Sequence, residues 1–229
     1  MTDVVLVAGL WLPVAEWDAV ADSLAALGHR GVPVILPGQD DGNAHATLDD
    51  QLAAVLAAVD GADGKALVVG HSAACSLAWL AADARPDKVA HVALIGGFPM
   101  PDGATYADFF PVENGVMPFP GWEPFVEEGS VLDFDQATLD RLAGVMRPVP
   151  EGVSRAVVHL TDDHRYEVPV TLVCPEFTPE QAKAWIASGE VPELAAVKAL
   201  DFADIDSGHW PMVTQPTQLA RLLLAAAPR

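Results

Sequence analysis

Two hydrophobic patterns alternate along this chain of 229 residues, and their alternation is the feature that most restricts its fold. Short apolar runs that end near a glycine are typical of strands buried on both faces of a sheet. They span residues 4–9, 31–38, 65–70 and 88–97. Apolar residues between these runs recur at helical spacing. The alternation predicts an α/β fold with a mostly parallel sheet of about six strands flanked by helices.

The alternation stops between residues 98 and 167, where Pro, Phe, Met and acidic residues are frequent. The two patterns then return as an apolar run from Val168, a helix over 179–188, a strand over 197–205 and a closing helix over 215–227. We expect a lid insertion after the fourth strand, at the carboxyl edge where parallel sheets bind ligands. The predicted domains are a core of residues 1–97 and 168–229 and a cap of residues 98–167.

A serine stands where the third predicted strand turns into a helix. The segment Gly70-His71-Ser72-Ala73-Ala74 fits the pattern G-x-S-x-[GA], with an apolar run before it and a helical pattern after it. A nucleophile elbow needs this context, because small flanking residues permit the strained turn that lifts the serine hydroxyl above the sheet. We therefore interpret Ser72 as a nucleophile. The alternative is that its hydroxyl only caps the following helix.

Four segments, "VVLVAGLW", "ILPGQD", "VVGHSAA" and "DIDSGHWPM", occur in the order found in the α/β-hydrolase family. The chain resembles this family over nearly its whole length. Only three residues precede "VVLV", so the resemblance implies a compact member that starts at the family's third strand. It also implies the activity of a serine esterase.

The resemblance implies a histidine after the last strand, and His209 in "DSGHWPM" occupies that place. The family usually supplies an Asp after the strand that follows the insertion, but "VTLVCPEFTPEQ" contains none. Thr178 to Gln181 form a capping box, which leaves Glu176 in the turn as the predicted triad acid. Asp102, after the preceding strand, is the alternative, and a shared or absent acid is a third reading. His71, which precedes the serine, is expected to point away from the site.

The resemblance further implies an oxyanion hole made by the backbone N–H groups of Leu10 and Ala73. The insertion is rich in aromatic residues and Met, which either pack the lid onto the core or form an apolar wall over Ser72. The residues predicted to line the substrate pocket are Trp11, Phe98, Met100, Phe119, Trp122 and Trp210.

Composition excludes several classes of partner. The formal net charge is −20 with only 12 Lys and Arg residues, which argues against binding nucleic acid or an anionic membrane surface. The N-terminal segment has no signal-peptide pattern, and no apolar stretch is long enough to span a membrane, so a cytoplasmic location is expected. The spacing of His159, Asp162, Asp163 and His164 is not a strong metal signature, and we expect neither a metal nor a cofactor. The oligomeric state stays open.

These observations predict a serine hydrolase that cleaves a small hydrophobic ester, lactone or related acyl compound through an acyl-enzyme. A protein that binds a small ligand with little or no catalysis is the main alternative. A lyase or a cofactor-free oxygenase is a further one, since the same fold hosts both. In plant hydroxynitrile lyases of this family a lysine follows the histidine and a threonine stands in the oxyanion loop. Trp210 and Leu10 occupy those positions here, which argues against the chemistry of those lyases.

Overall fold

The computed structural model describes residues 1–226, and it contains one six-stranded parallel sheet with the order β2-β1-β3-β4-β7-β8. The strands of this sheet are β1 (Asp3–Val7), β2 (Arg30–Pro33), β3 (Ala66–His71), β4 (Val89–Ile95), β7 (Val170–Cys174) and β8 (Leu200–Asp204). Strands β1, β3 and β7 are buried along their whole length, as their unbroken apolar sequences require. The predicted fold class is confirmed.

Helices flank the sheet. The helices that follow its strands are α1 (Asp18–Ala26), α2 (Leu48–Asp60), α3 (Ala74–Ala84), α7 (Pro179–Ser188), α8 (Pro192–Ala195), α9 (Pro211–Thr214) and α10 (Pro216–Ala226). A capping box formed by Thr47 and Asp50 begins α2, and the predicted box of Thr178 and Gln181 begins α7. The closing helix was predicted to reach Ala227, which lies outside the described residues.

Strand β2 is shorter than predicted, because the chain leaves the sheet after Val34. The Val34 N–H still donates to the carbonyl of Leu6 at 3.0 Å. Beyond it, the carboxylate of Asp40 accepts hydrogen bonds from the N–H groups of Val14 and Leu36. A side chain therefore replaces the neighbouring strand as the partner of this segment.

The insertion between β4 and β7 has structure of its own. It contains α4 (Glu123–Glu127), α5 (Gln136–Val145), α6 (Glu151–Ser154) and an antiparallel pair of short strands, β5 (Val116–Met117) and β6 (Val149–Pro150). The Trp11 indole donates to the carbonyl of Met117 at 3.2 Å, and the Arg147 N–H donates to the carbonyl of Trp11 at 2.8 Å. These bonds join the insertion to the loop after β1. The division into core and cap domains stays a prediction.

Candidate active site

Ser72 follows β3 directly and adopts a left-handed backbone conformation with φ of 55°. Its N–H donates to the carbonyl of Ile95 at 2.8 Å. A Cβ added to Gly70 would lie 2.3 Å from the carbonyl oxygen of Ala74, and one added to Gly97 would lie 2.6 Å from that of Ser72. Only glycine fits at these two positions, so the sequence permits the tight strand-to-helix turn that holds the half-buried Ser72 in this strained conformation.

Two backbone N–H groups beside Ser72 are available to a ligand. Within the described residues, no hydrogen bond uses the N–H of Leu10 or of Ala73. The loop that carries Leu10 is fixed by the buried Gln39 side chain, which donates to the carbonyls of Gly9 at 2.8 Å and Leu12 at 2.7 Å. Their role as the oxyanion hole stays a prediction, which this arrangement supports.

His209 lies in the loop between β8 and α9, and its Nδ1 is hydrogen-bonded to Oε2 of Glu176, which follows β7. Since an ionised carboxylate only accepts, Nδ1 carries the proton and Nε2 is free to act as a base. Burial raises the pKa of Glu176, but the hydrogen bond from His209 outweighs it and the pKa is lowered overall. Asp102 lies elsewhere, with its carboxylate accepting from the N–H of Leu160 at 3.0 Å.

The backbone of His209 is held from two sides. Its N–H donates to the carbonyl of Ser130 at 2.8 Å, and its carbonyl accepts from Nε2 of His71 at 2.8 Å. The rings of His71 and His209 are 4.8 Å apart between centroids. The expectation that His71 points away from the site is therefore corrected: its ring lies against the histidine of the site, because the loop after β8 folds back over β3.

Ser72 and His209 line the same cavity, although no hydrogen bond joins the Ser72 hydroxyl to His209 among the described residues. Such bonds are often long in enzymes without substrate and shorten when it binds. This cavity has a volume of about 580 Å³. The residues that line it include Leu10, Trp11, Ser72, Phe109, Phe110, Phe125, Glu176 and His209.

A second cavity, of about 440 Å³, also reaches Ser72. The residues that line it include Ser72, Ala73, Phe98, Met100, Tyr106, Phe109 and Val191. We call it the Met100 cavity and the first one the His209 cavity. Phe109 and Gly96 line both cavities, so that Ser72 stands where the two meet.

The structure distributes the six predicted pocket residues unevenly. Phe98 and Met100 line the Met100 cavity, and Trp11 lines the His209 cavity. The prediction is corrected for the other three, because their side chains pack behind the cavity walls. Phe119 stacks on Phe125, and the rings of Trp122 and Trp210 pack edge to face with their centroids 5.4 Å apart. The prediction missed other lining residues, among them Tyr106, Phe109, Phe110, Phe125 and Val191. The aromatic residues among them belong to the same rich stretch of the insertion, whereas nothing in the sequence singles out Val191.

The family model for the alpha/beta hydrolase family matches residues 4–222, and the chain belongs to this family. The sequence matches no curated protein. An extracellular alpha/beta-hydrolase from a Paenibacillus species is similar in structure, with a TM-score of 0.80, 20% identity and full coverage of both chains.

Two further solved structures are similar. A methylesterase from Arabidopsis has a TM-score of 0.76 and 17% identity, and the match covers 99% of this chain and 98% of that one. A pyrethroid hydrolase from Sphingobium faniae has a TM-score of 0.73 and 18% identity, with 98% and 96% covered. At such identities the similarity shows the fold. No helix among residues 1–226 is both long and apolar enough to cross a membrane, and the predicted cytoplasmic location stays untested.

Proposed function

We propose that the protein is a serine hydrolase that cleaves a small, largely apolar carboxylic ester or a related acyl compound. One observation carries this proposal: the left-handed turn at Ser72 and the hydrogen-bonded pair of His209 and Glu176 meet at a single cavity. Strand ends at one edge of the parallel sheet position all three groups. A serine, a histidine and an acid in this order have the roles of nucleophile, base and orienting carboxylate.

In the proposed mechanism, Nε2 of His209 takes the proton of the Ser72 hydroxyl as the oxygen attacks the ester carbonyl carbon. The N–H groups of Leu10 and Ala73 stabilise the negative charge that develops on the carbonyl oxygen. His209 then gives its proton to the leaving alcohol, and an acyl group stays on Ser72. A water molecule, deprotonated by the same histidine, hydrolyses this acyl-enzyme and regenerates the serine.

Turnover of a series of short-chain p-nitrophenyl esters tests the proposal. We expect many turnovers in the native chain and none above the buffer rate in Ser72→Ala. Ser188→Ala, a change at an exposed serine near the end of α7, is the matched control and leaves the rate unchanged. A folded native chain that binds such esters without hydrolysing them would contradict the proposal and favour a ligand-binding protein.

A further inference from the structure

One polar side chain in the wall of the Met100 cavity has no partner. Tyr106 is 2% exposed, and no described residue forms a hydrogen bond with its hydroxyl. The hydroxyl is not fully sealed from solvent, and the open space that Tyr106 lines is the Met100 cavity. Its backbone N–H donates to the carbonyl of Ala156 at 2.8 Å, which holds the residue in place. A ligand oxygen that accepts from this hydroxyl therefore gains a hydrogen bond for which no described residue competes.

The positions of the catalytic groups assign the two cavities to the two halves of an ester. The leaving oxygen receives its proton from His209, so the alcohol half extends into the cavity that His209 lines. The acyl half stays bonded to Ser72, and the Met100 cavity is the second cavity that Ser72 lines, with Ala73 also in its wall.

We propose that the Met100 cavity binds the acyl half of the substrate and that the Tyr106 hydroxyl donates a hydrogen bond to an uncharged acceptor oxygen on it. This inference rests on the proposed function and narrows its substrate class. The favoured substrates are esters of compact acids whose chain is apolar apart from one ether, carbonyl or hydroxyl oxygen.

The charge of the cavity supports an uncharged acceptor. Burial raises the pKa of the Tyr106 phenol, which therefore stays protonated and acts as a donor at neutral pH. Among residues 1–226 no Lys or Arg lines the cavity, whereas Glu190 does, and the chain as a whole has a net charge of −20. A carboxylate on the acyl chain would meet this negative field without a cation to pair with.

Matched pairs of p-nitrophenyl esters test the inference. Methoxyacetate, methoxypropanoate and methoxybutanoate, each with the ether oxygen next to the terminal methyl group, are compared with butanoate, pentanoate and hexanoate. Each ether differs from its partner only by an oxygen in place of a methylene group, and the three ethers place that oxygen at increasing distance from the carbonyl. Rates are measured for the native chain and for Tyr106→Phe, which removes only the hydroxyl. Tyr166→Phe makes the same change at the other tyrosine, which lies outside both cavities.

We expect Tyr106→Phe to lower kcat/KM about 3- to 10-fold for at least one ether ester, the range that one hydrogen bond contributes. The hydrocarbon partner should change less than about twofold, and Tyr166→Phe should affect neither ester. Because each ratio of native to variant kcat/KM is taken on one ester, the different intrinsic reactivities of the ether and hydrocarbon esters cancel. Should Tyr106→Phe fold poorly, inhibition of the native chain by an ether-containing alkylboronic acid and by its hydrocarbon counterpart gives the same contrast.

Equal effects of Tyr106→Phe on ether and hydrocarbon esters, or no effect on either, would overturn the inference while ester hydrolysis itself continues. Equal inhibition by the two boronic acids would do the same. A lack of turnover that depends on Ser72 would instead contradict the proposed function, so the two failures are distinguishable.

Discussion

His71 donates a hydrogen bond from Nε2 to the carbonyl oxygen of His209, across 138 positions of sequence, with the two atoms 2.8 Å apart. Burial of His71 and the nearby His209 lower the pKa of His71 well below its usual value, so the ring is neutral and Nε2 keeps its single proton for this bond. The residue that precedes the proposed nucleophile thus supports the proposed base.

Removing this donor should disturb both stability and rate. We expect His71→Leu to lower the free energy of unfolding by about 1–3 kcal/mol, because the His209 carbonyl loses its buried partner. The rate should fall through kcat, since the position of the base changes while the cavities do not. His71→Gln keeps an N–H donor at similar reach and should recover part of both losses in urea unfolding and ester kinetics. Equal losses in the two variants would argue against the hydrogen bond as the cause.

The identity of the acid can be tested with one pair of amide substitutions. Glu176→Gln should lower kcat by about 10⁴-fold, the cost seen when a triad carboxylate is neutralised. Asp102→Asn makes the same chemical change at a carboxylate that contacts Leu160 instead of His209, and it should leave kcat unchanged. Steady-state kinetics on one ester decide the matter. A silent Glu176→Gln together with a damaging Asp102→Asn would reverse the assignment.

Buried neutral histidines should make the fold sensitive to acid. Burial lowers the pKa of His91 from 6.5 to about 4, and that of His71 is also lowered. Between pH 6.5 and about 4 the unfolded chain therefore binds protons that the folded chain does not, and stability falls as the pH falls. Urea unfolding at several pH values measures this slope.

His91→Gln should flatten the dependence on pH, because it removes one of these groups. His164→Gln is the control: this exposed histidine has a raised pKa, owing to its hydrogen bond with Asp162, and so contributes no loss of stability in acid. A slope that His91→Gln leaves unchanged would contradict the explanation.

The tight turn at Ser72 depends on Gly70. In Gly70→Ala the new Cβ would lie 2.3 Å from the Ala74 carbonyl oxygen, a backbone atom that cannot rotate aside as a flexible side chain could. We expect a loss of about 1–3 kcal/mol in the free energy of unfolding, together with loss of ester hydrolysis. Gly144→Ala, in α5, brings the new Cβ within 4 Å of no described atom beyond its own helix turn, and it should instead be neutral or stabilise by about 0.5 kcal/mol. Similar denaturation curves for the two variants would contradict this account.

Local signals made much of the fold predictable. The capping box at Thr178 marked the start of α7, and the structure gives the predicted bounds, Pro179–Ser188. Strands β5 and β6 escaped prediction, because each has only two residues and periodicity cannot appear over so short a span.

The site was predictable where a residue follows the end of a strand. Ser72, Glu176 and His209 each lie just beyond one, and the structure brings them to one edge of the sheet. The pocket lining was less predictable, because aromatic residues in one stretch of sequence divide between the cavity wall and the packing behind it. Phe125 and Phe119 stack on each other, yet only Phe125 lines the cavity. Such a division depends on tertiary packing.

The proposal that Ser72 forms an acyl-enzyme is tested most directly by the mass of the protein during turnover of an activated ester. Reactions quenched in acid after milliseconds should contain a species heavier by one acyl group, and peptide mapping should place that group on Ser72. Ser72→Ala should show no such species under the same conditions. An acyl group on another residue, or multiple turnovers in Ser72→Ala, would contradict the account.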